Sequence, residues 1–163
     1  MSLESVTFHP IGIVHSPYKE KVGTPIQANF DNETPGTIEI FAPYQEGLEG
    51  IEGFSHIYVL YVFDRAAEAK LKASPFLRDI TVGVFAMRAP SRPNPIGLSI
   101  LELKAREGGL LRVVGLDILD KTPVLDIKPY VPKFDIREVT RLGWMEGAME
   151  DPSRHRADAR FGE

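Results

Sequence analysis

Hydrophobic and β-branched residues along this chain fall in short alternating runs separated by glycine, proline and charged clusters, the spacing of strands more than of helices. Residues Phe8 to His15, FHPIGIVH, set Phe8, Ile11 and Ile13 on a β-branched background and predict a first strand, ended by Ser16-Pro17-Tyr18. Lys19 to Asn32 is polar, carries Gly23 and Pro25, and reads as a long loop. Thr37 to Phe41 alternates as a strand does, and Pro43 to Gly50 reads as a helical turn. Ile57 to Phe63, IYVLYVF, predicts the main core strand, covered on both faces. Asp64 to Lys72 has helix-forming composition with Asp64 as N-cap, cut short by Ser74-Pro75. Strand character returns over Ile80 to Met87, and Ile100 to Ala105 with Leu110 to Leu116 bracket Glu107-Gly108-Gly109 as a hairpin. Ile127 to Val131 adds a last strand.

Five to seven short strands against one or two minor helices, with no internal repeat and no strand-helix-strand alternation, predict a mainly β chain. The architecture expected is a small closed or nearly closed antiparallel β-barrel with long loops. A length of 163 residues fits one domain, expected over 1–150, followed by a polar tail over 151–163. The absence of cysteine excludes a disulfide framework, a thiolate zinc site and a cysteine nucleophile, and it suits the cytoplasm. The longest apolar run, Ile57 to Phe63, is far below the about 18 residues that a membrane span requires. A net charge of −4 leaves nucleic-acid binding to a local patch, with nothing pointing to DNA.

Nucleotide and zinc-protease readings lack their chemistry, because G-x-G-x-x-G, G-x-x-x-x-G-K-[ST] and H-E-x-x-H are all missing. No metal is expected: His9, His15, His56 and His155 show no ligand-like pairing, and His56, within an apolar strand, reads as a hydrogen-bonded core residue. Ser99 lacks the context of a nucleophile elbow.

Three stretches stand apart from scaffold. Arg88 to Ser99, RAPSRPNPIGLS, holds three prolines in six residues, which stiffen Arg92 and Asn94 and set two guanidinium groups where they can clamp a carboxylate or phosphate. The bland alternative is a rigid turn with solvated arginines. Asp117 to Tyr130, DILDKTPVLDIKPY, contains a turn at Asp120 to Pro123 whose backbone groups can read a polar ligand. In it, Asp126 alternates with apolar neighbours and is expected to point inward, with Arg88, Arg92 or Lys128 as partner, against a plain capped turn with a structural ion pair. The third stretch is the polar loop from Tyr18 through Pro25-Ile26-Gln27.

Arg88 to Ser99 with the preceding Gly83-Val84-Phe85-Ala86, and Asp120 to Tyr130, resemble the paired signatures of the TsaA-like (YaeB-like) family. Ile11 to Lys21 and Gly53-Phe54-Ser55-His56 match in kind and order, so the resemblance covers about Phe8 to Val131. That family contains S-adenosylmethionine-dependent methyltransferases acting on N6-threonylcarbamoyladenosine beside the tRNA anticodon. The resemblance implies a small β-barrel enzyme working as a homodimer, with S-adenosylmethionine as cofactor and tRNA as substrate. Carried over by motif position, the cofactor contacts are Pro25, Ile26, Gln27, Asp64, Arg65, Arg88, Leu98, Asp120, Lys121, Thr122 and Pro123. Arg92, Asn94, Lys128 and Tyr130 are expected on the RNA or substrate side, and Asp126 as the catalytic base. Two departures stand out. Lys121 occupies a position where glycine is commoner in the family turn, and the chain lacks the extra C-terminal domain that many members carry.

Two rival readings follow from the same residues. One is a non-catalytic barrel that binds S-adenosylmethionine or another small ligand and acts through a partner. The other is an RNA-binding barrel without cofactor, which requires surface aromatics among basic residues; here Phe and Tyr cluster in apolar strands such as Tyr58 to Phe63.

Overall fold

The computed structural model describes residues 5–20, 33–75 and 79–146. Its strands are β1 (Gly12–His15), β2 (Pro35–Ile40), β3 (His56–Val62), β4 (Lys72–Ala73), β5 (Val82–Gly83), β6 (Ile96–Glu107), β7 (Leu110–Val114) and β8 (Pro123–Pro129). Six of them close an antiparallel barrel in the order β1-β2-β7-β6-β3-β8, and β4 and β5 form a separate two-stranded ribbon. Closure removes the unpaired edges that an open sheet of this size would expose. A short helix, α1 (Pro132–Asp135), and single 3-10 turns complete the described chain. The all-β barrel expected from the run lengths is therefore the fold.

Strand alternation fills the barrel. Val14, Ile38, Ile40, Ile57, Val59, Leu101, Leu111, Val113 and Val124 point inward and are fully buried, and Leu116 and Ile118 from the β7–β8 connection join the same core. Such a small barrel leaves an interior that side chains occupy completely.

Several elements differ from expectation, each for a local reason. The first strand starts at Gly12, because Pro10 has no N–H for a ladder, and Phe8 is 63% exposed. Within β1 the buried side is Gly12 and Val14, with Ile13 on the other, and Ile11, just before the strand, is half-buried against the core. No helix forms over 64–72: Ala66 N–H donates to Phe63 O in a local turn and Lys70 N–H to the distant Ser91 O, in place of a helix too short to nucleate. The expected strand over 80–87 shrinks to β5 and a 3-10 turn (Val84–Ala86) that leaves Phe85 79% exposed. β3 is buried on one face only; Tyr58, Leu60 and Val62 are half-covered on the outside. His56 sits on that outer face, bonded to Ser55 Oγ at 3.0 Å, and is not a core residue.

The β3–β6 seam shows how tightly the packing constrains sequence. Gly97 lies opposite Tyr61, and a methyl group on it would overlap the buried Tyr61 ring. Gly97→Ala is expected to destabilise the chain by about 1–3 kcal/mol, the usual range for overpacking, read as a lower midpoint in urea unfolding.

Candidate functional site

Antiparallel pairing brings the C-terminal ends of β1, β3 and β7 and the N-terminal ends of β2, β6 and β8 to one end of the barrel. The connections at this end are residues 16–34, 63–95 and 115–122. The three chemically unusual stretches thus meet here at their barrel-proximal parts.

Asp120 is the centre of the arrangement. Its Oδ1 accepts the Ser16 N–H at 3.0 Å, and its Oδ2 takes the Lys19 ammonium at 2.5 Å. Its own N–H donates to Tyr18 O at 2.7 Å, and its carbonyl accepts Arg65 Nη2 at 2.8 Å. The Lys19 bond and then the Ser16 amide hold its carboxyl below the usual aspartate range, against the opposing effect of burial. Arg65 Nη2 also donates to the buried Thr122 hydroxyl at 2.9 Å, and Arg65 Nε lies 3.3 Å from Asp64 Oδ1. Lys121, between Asp120 and Thr122, has φ 65°, the one non-glycine in the left-handed region among the described residues. That is the backbone state for which glycine is the ordinary residue, so the departure seen in sequence has a structural cost.

A second polar cluster lines the same end. Ser99 Oγ donates to Asp117 Oδ1 at 2.6 Å and lies 3.3 Å from the Tyr61 hydroxyl. Burial, then the Asp117 charge, pushes the Tyr61 hydroxyl well above its usual pKa. Sequence reasoning set Ser99 aside as a nucleophile, gave Tyr61 and Ser16 no part in the site, and placed Asp117 and Lys19 in unusual stretches without naming either as a site residue. These residues meet across separations of 18 to 104 positions, which no local motif encodes.

The other expected residues distribute as follows. Arg88 and Asn94 are exposed in the proline-rich connection. Arg92 turns back on its own loop, partly buried, with Nη1 3.2 Å from Met87 O and 3.5 Å from Ala89 O. Leu98 projects from the outer face of β6, 52% exposed, opposite Leu60. Pro123 begins β8 beside Ile13. Pro25, Ile26 and Gln27 lie outside the described residues.

Asp126 does not point inward. Between Leu60 and Tyr61 the register of β3 against β8 slips by one residue, so that Asp126 faces Leu60 while Val124 faces Tyr61. The extra residue, Leu125, reverses the phase of β8 and turns Asp126 to the outside. There Lys128 Nζ binds it at 2.7 Å and its Oδ1 accepts the Ile127 N–H at 2.9 Å. Leu98, Leu60 and Asp126 consequently form one cross-strand row on the outer surface. Lys128 and Tyr130 continue away from the Asp120 turn; at about 3.3 Å per residue, Tyr130 is roughly 20 Å from Pro123. Tyr130 packs edge-on against Tyr58 at 5.4 Å and His56 at 6.4 Å.

Comparison with known proteins bears on this arrangement. The tRNA-methyltransferase O N-terminal domain, TrmO_N, matches residues 13–136. The chain belongs to this family. The match is consistent with the TsaA-like resemblance and runs from Ile13, the second residue of β1, through α1. A relative from Pyrococcus abyssi, named a probable S-adenosyl-L-methionine-binding protein, is 49% identical over 96% of this chain and 85% of its own length. The Escherichia coli tRNA (adenine(37)-N6)-methyltransferase is 39% identical over 80% of this chain and 60% of that protein. A crystal structure of TrmO from P. aeruginosa superposes with TM-score 0.74 at 39% identity, covering 89% of this chain and 63% of that one. The chain therefore spans about three fifths of the length of these two TrmO_N-type relatives, and most of the archaeal one.

Among the described residues, no group of three or more His, Cys, Asp or Glu is arranged to hold a metal ion. The Arg65 guanidinium and the Asp64 and Asp120 carboxylates at this end, with exposed Arg88 in the proline-rich connection and Leu98 on the outer face of β6, suit an organic ligand carrying both charges. S-adenosylmethionine, with its carboxylate, amine, sulfonium and adenine, is compatible with these groups.

Because the Asp120 pKa is lowered in the folded state, its contribution to stability is present above the ordinary aspartate pKa near 3.9 and is lost as pH falls through the lower, folded value. Asp120→Asn is expected to cost about 1–3 kcal/mol near pH 7 and to flatten the acid limb of stability below about pH 4, measured by urea unfolding at a series of pH values.

Proposed function

We propose that this chain is an S-adenosylmethionine-dependent methyltransferase acting on N6 of threonylcarbamoyladenosine next to the tRNA anticodon, in the cytoplasm and as a homodimer. The reading is carried by the convergence of Asp64, Arg65 and Asp120 to Thr122 at one barrel end, in a chain whose family match spans all of the elements that place them. Family relatives named for tRNA adenine methylation and for S-adenosylmethionine binding support the substrate and the cofactor.

S-adenosylmethionine, when bound, supplies an electrophilic methyl group on a sulfonium. The chain's task is then to position and to accept a proton. Arg88 would hold the methionine carboxylate, since a guanidinium fork favours pairing with a carboxylate. The Asp120 to Thr122 turn, fixed by Arg65 and the Ser16 and Lys19 bonds, presents a rigid polar wall, and holding two reactants in line accounts for several kcal/mol of a typical barrier. Asp126, in the same outer row as Leu98, takes the N6 proton, with Lys128 fixing its orientation.

The homodimer is supported by the outer face of β3 and β6. Ile96 beside Val62, Leu98 beside Leu60 and Ile100 beside Tyr58 make three consecutive apolar pairs that the described chain leaves partly exposed. A second copy covering this face removes them from water. Ile96→Glu is expected to shift the dimer to monomer at micromolar concentration, checked by light scattering after gel filtration; an unchanged mass rejects this face.

A second reading is favoured by the Pyrococcus abyssi relative, most of whose length this chain spans and whose name claims binding alone. In that reading the barrel holds S-adenosylmethionine and acts through a partner. Transfer of labelled methyl to tRNA pools with and without the threonylcarbamoyl group separates the two. Incorporation restricted to the modified pool is the expected outcome, and tight cofactor binding without transfer to either pool selects the binding module. Arg88→Ala is expected to weaken cofactor binding at least tenfold by calorimetry. Asp126→Asn is expected to lower turnover about 100-fold or more with binding retained. Full turnover in Asp126→Asn removes Asp126 as the base and leaves the Arg88 clamp standing.

A further inference from the structure

Lys121 keeps a left-handed backbone although glycine would occupy φ 65° without strain. Its side chain is held in an unusual way. The ammonium lies 3.1 Å from His15 Nδ1, and His15 Nε2 lies 2.7 Å from Glu39 Oε2. An ammonium has donors only, so Nδ1 must accept, the ring must be neutral, and Nε2–H must donate to Glu39. Glu39 thereby selects the tautomer that orients the Lys121 amine. Lys19, Lys104 and Lys128, in contrast, each end on a carboxylate, at 2.5, 2.5 and 2.7 Å. For those three, a new anion competes with a partner already in place. Lys121 can instead keep its ring nitrogen and offer its other two N–H groups, so an incoming anion adds an ionic bond without displacing one.

From this geometry we propose that Lys121 contacts a backbone phosphate of the RNA substrate at the mouth of the site, positioned by the Glu39–His15 pair. The assignment rests on the tRNA reading above and goes beyond it by giving the side chain, as distinct from the turn backbone, a role of its own. The anion meeting an exposed lysine on this rim is a phosphate of the RNA or the carboxylate of the cofactor. The outward tether to His15, on the outer side of β1, favours the RNA.

The test is binding of bulk tRNA to the full chain between about 50 and 200 mM salt, comparing the wild type, Lys121→Gly and, as a control for loss of any surface cation, Lys104→Gln. Lys121→Gly suits the backbone, so its melting temperature is expected to equal or exceed that of the wild type. For Lys121→Gly, the slope of log affinity against log salt is expected to become shallower by about 0.7–0.9, the value for one phosphate contact. Lys104→Gln is expected to leave the slope as it is. An unchanged slope in Lys121→Gly, or an equal change in both variants, overturns the assignment. Reduced cofactor affinity with the slope intact also overturns it, giving the amine to the cofactor carboxylate. A flat salt response in the wild type is a different failure: it defeats the tRNA reading itself, and this assignment with it.

Discussion

The barrel is held shut along a short seam, and the candidate cofactor turn is part of it. β1 and β8 share the register pairs Gly12 with Val124 and Ile13 with Pro123. Backbone bonds extend this ladder at both ends: Ile11 N–H to Val124 O at 2.8 Å, Val14 N–H to Thr122 O at 3.0 Å and Lys121 N–H to Val14 O at 2.8 Å. Asp120 then carries the seam past the strand ends through Ser16, Tyr18 and Lys19. Opening it would expose two strand edges and the filled interior behind them. Closing the barrel and shaping the turn are therefore the same step of folding.

That identity explains why strain at Lys121 persists. A left-handed lysine costs roughly 1–2 kcal/mol, and isolated in a loop it would relax. Here both neighbours are fixed from outside the turn, Asp120 by the loop after β1 and Thr122 by Val14 and Arg65, so the middle residue has no other path between them. The Tyr61, Ser99 and Asp117 cluster acts on the other flank, tying β3 and β6 to the start of the same connection. A site fixed on both flanks presents its groups before the ligand arrives, which lowers the ordering cost of binding.

The alternating runs made the β-barrel legible, since period-2 patterning and two-glycine hairpin chemistry are local properties; the β6–β7 turn at Gly108-Gly109 lies where they place it. The proline-rich stretch and the acidic turn also stood out from scaffold in the sequence, and both lie in connections at the same barrel end, whereas Pro25 to Gln27 of the third stretch lie outside the described residues. What stayed hidden depends on distant pairing. The phase of β8 flips at Leu125 only because β3 runs beside it with one residue fewer, so the facing of Asp126 was not readable from its alternation with apolar neighbours. Likewise Lys19 gave no sign of its partner 101 residues away. The helix expected over 64–72 failed for the same reason: the bond from Lys70 to Ser91 belongs to the fold, not to the segment.

The filled interior decides where chemistry can take place. Val14, Ile38, Val59, Leu111 and Val124 leave the barrel without room for a ligand, so any substrate must lie on its rim or its outer surface. The slip at Leu125 makes β8 serve both places. Its first residues close the seam beside the Asp120 turn, and its later ones carry Asp126 on the outside in register with Leu60 and Leu98, and Lys128 in register with Tyr58 and Ile100. A ligand gripped at the rim can thus extend along the outer rows without leaving one continuous sheet. An open surface of this kind suits a reactant too large to be enclosed, such as a nucleic-acid loop, provided something else keeps water from the reacting atoms. The partly exposed apolar pairs of β3 and β6, next to the same row, are where a covering chain would do so.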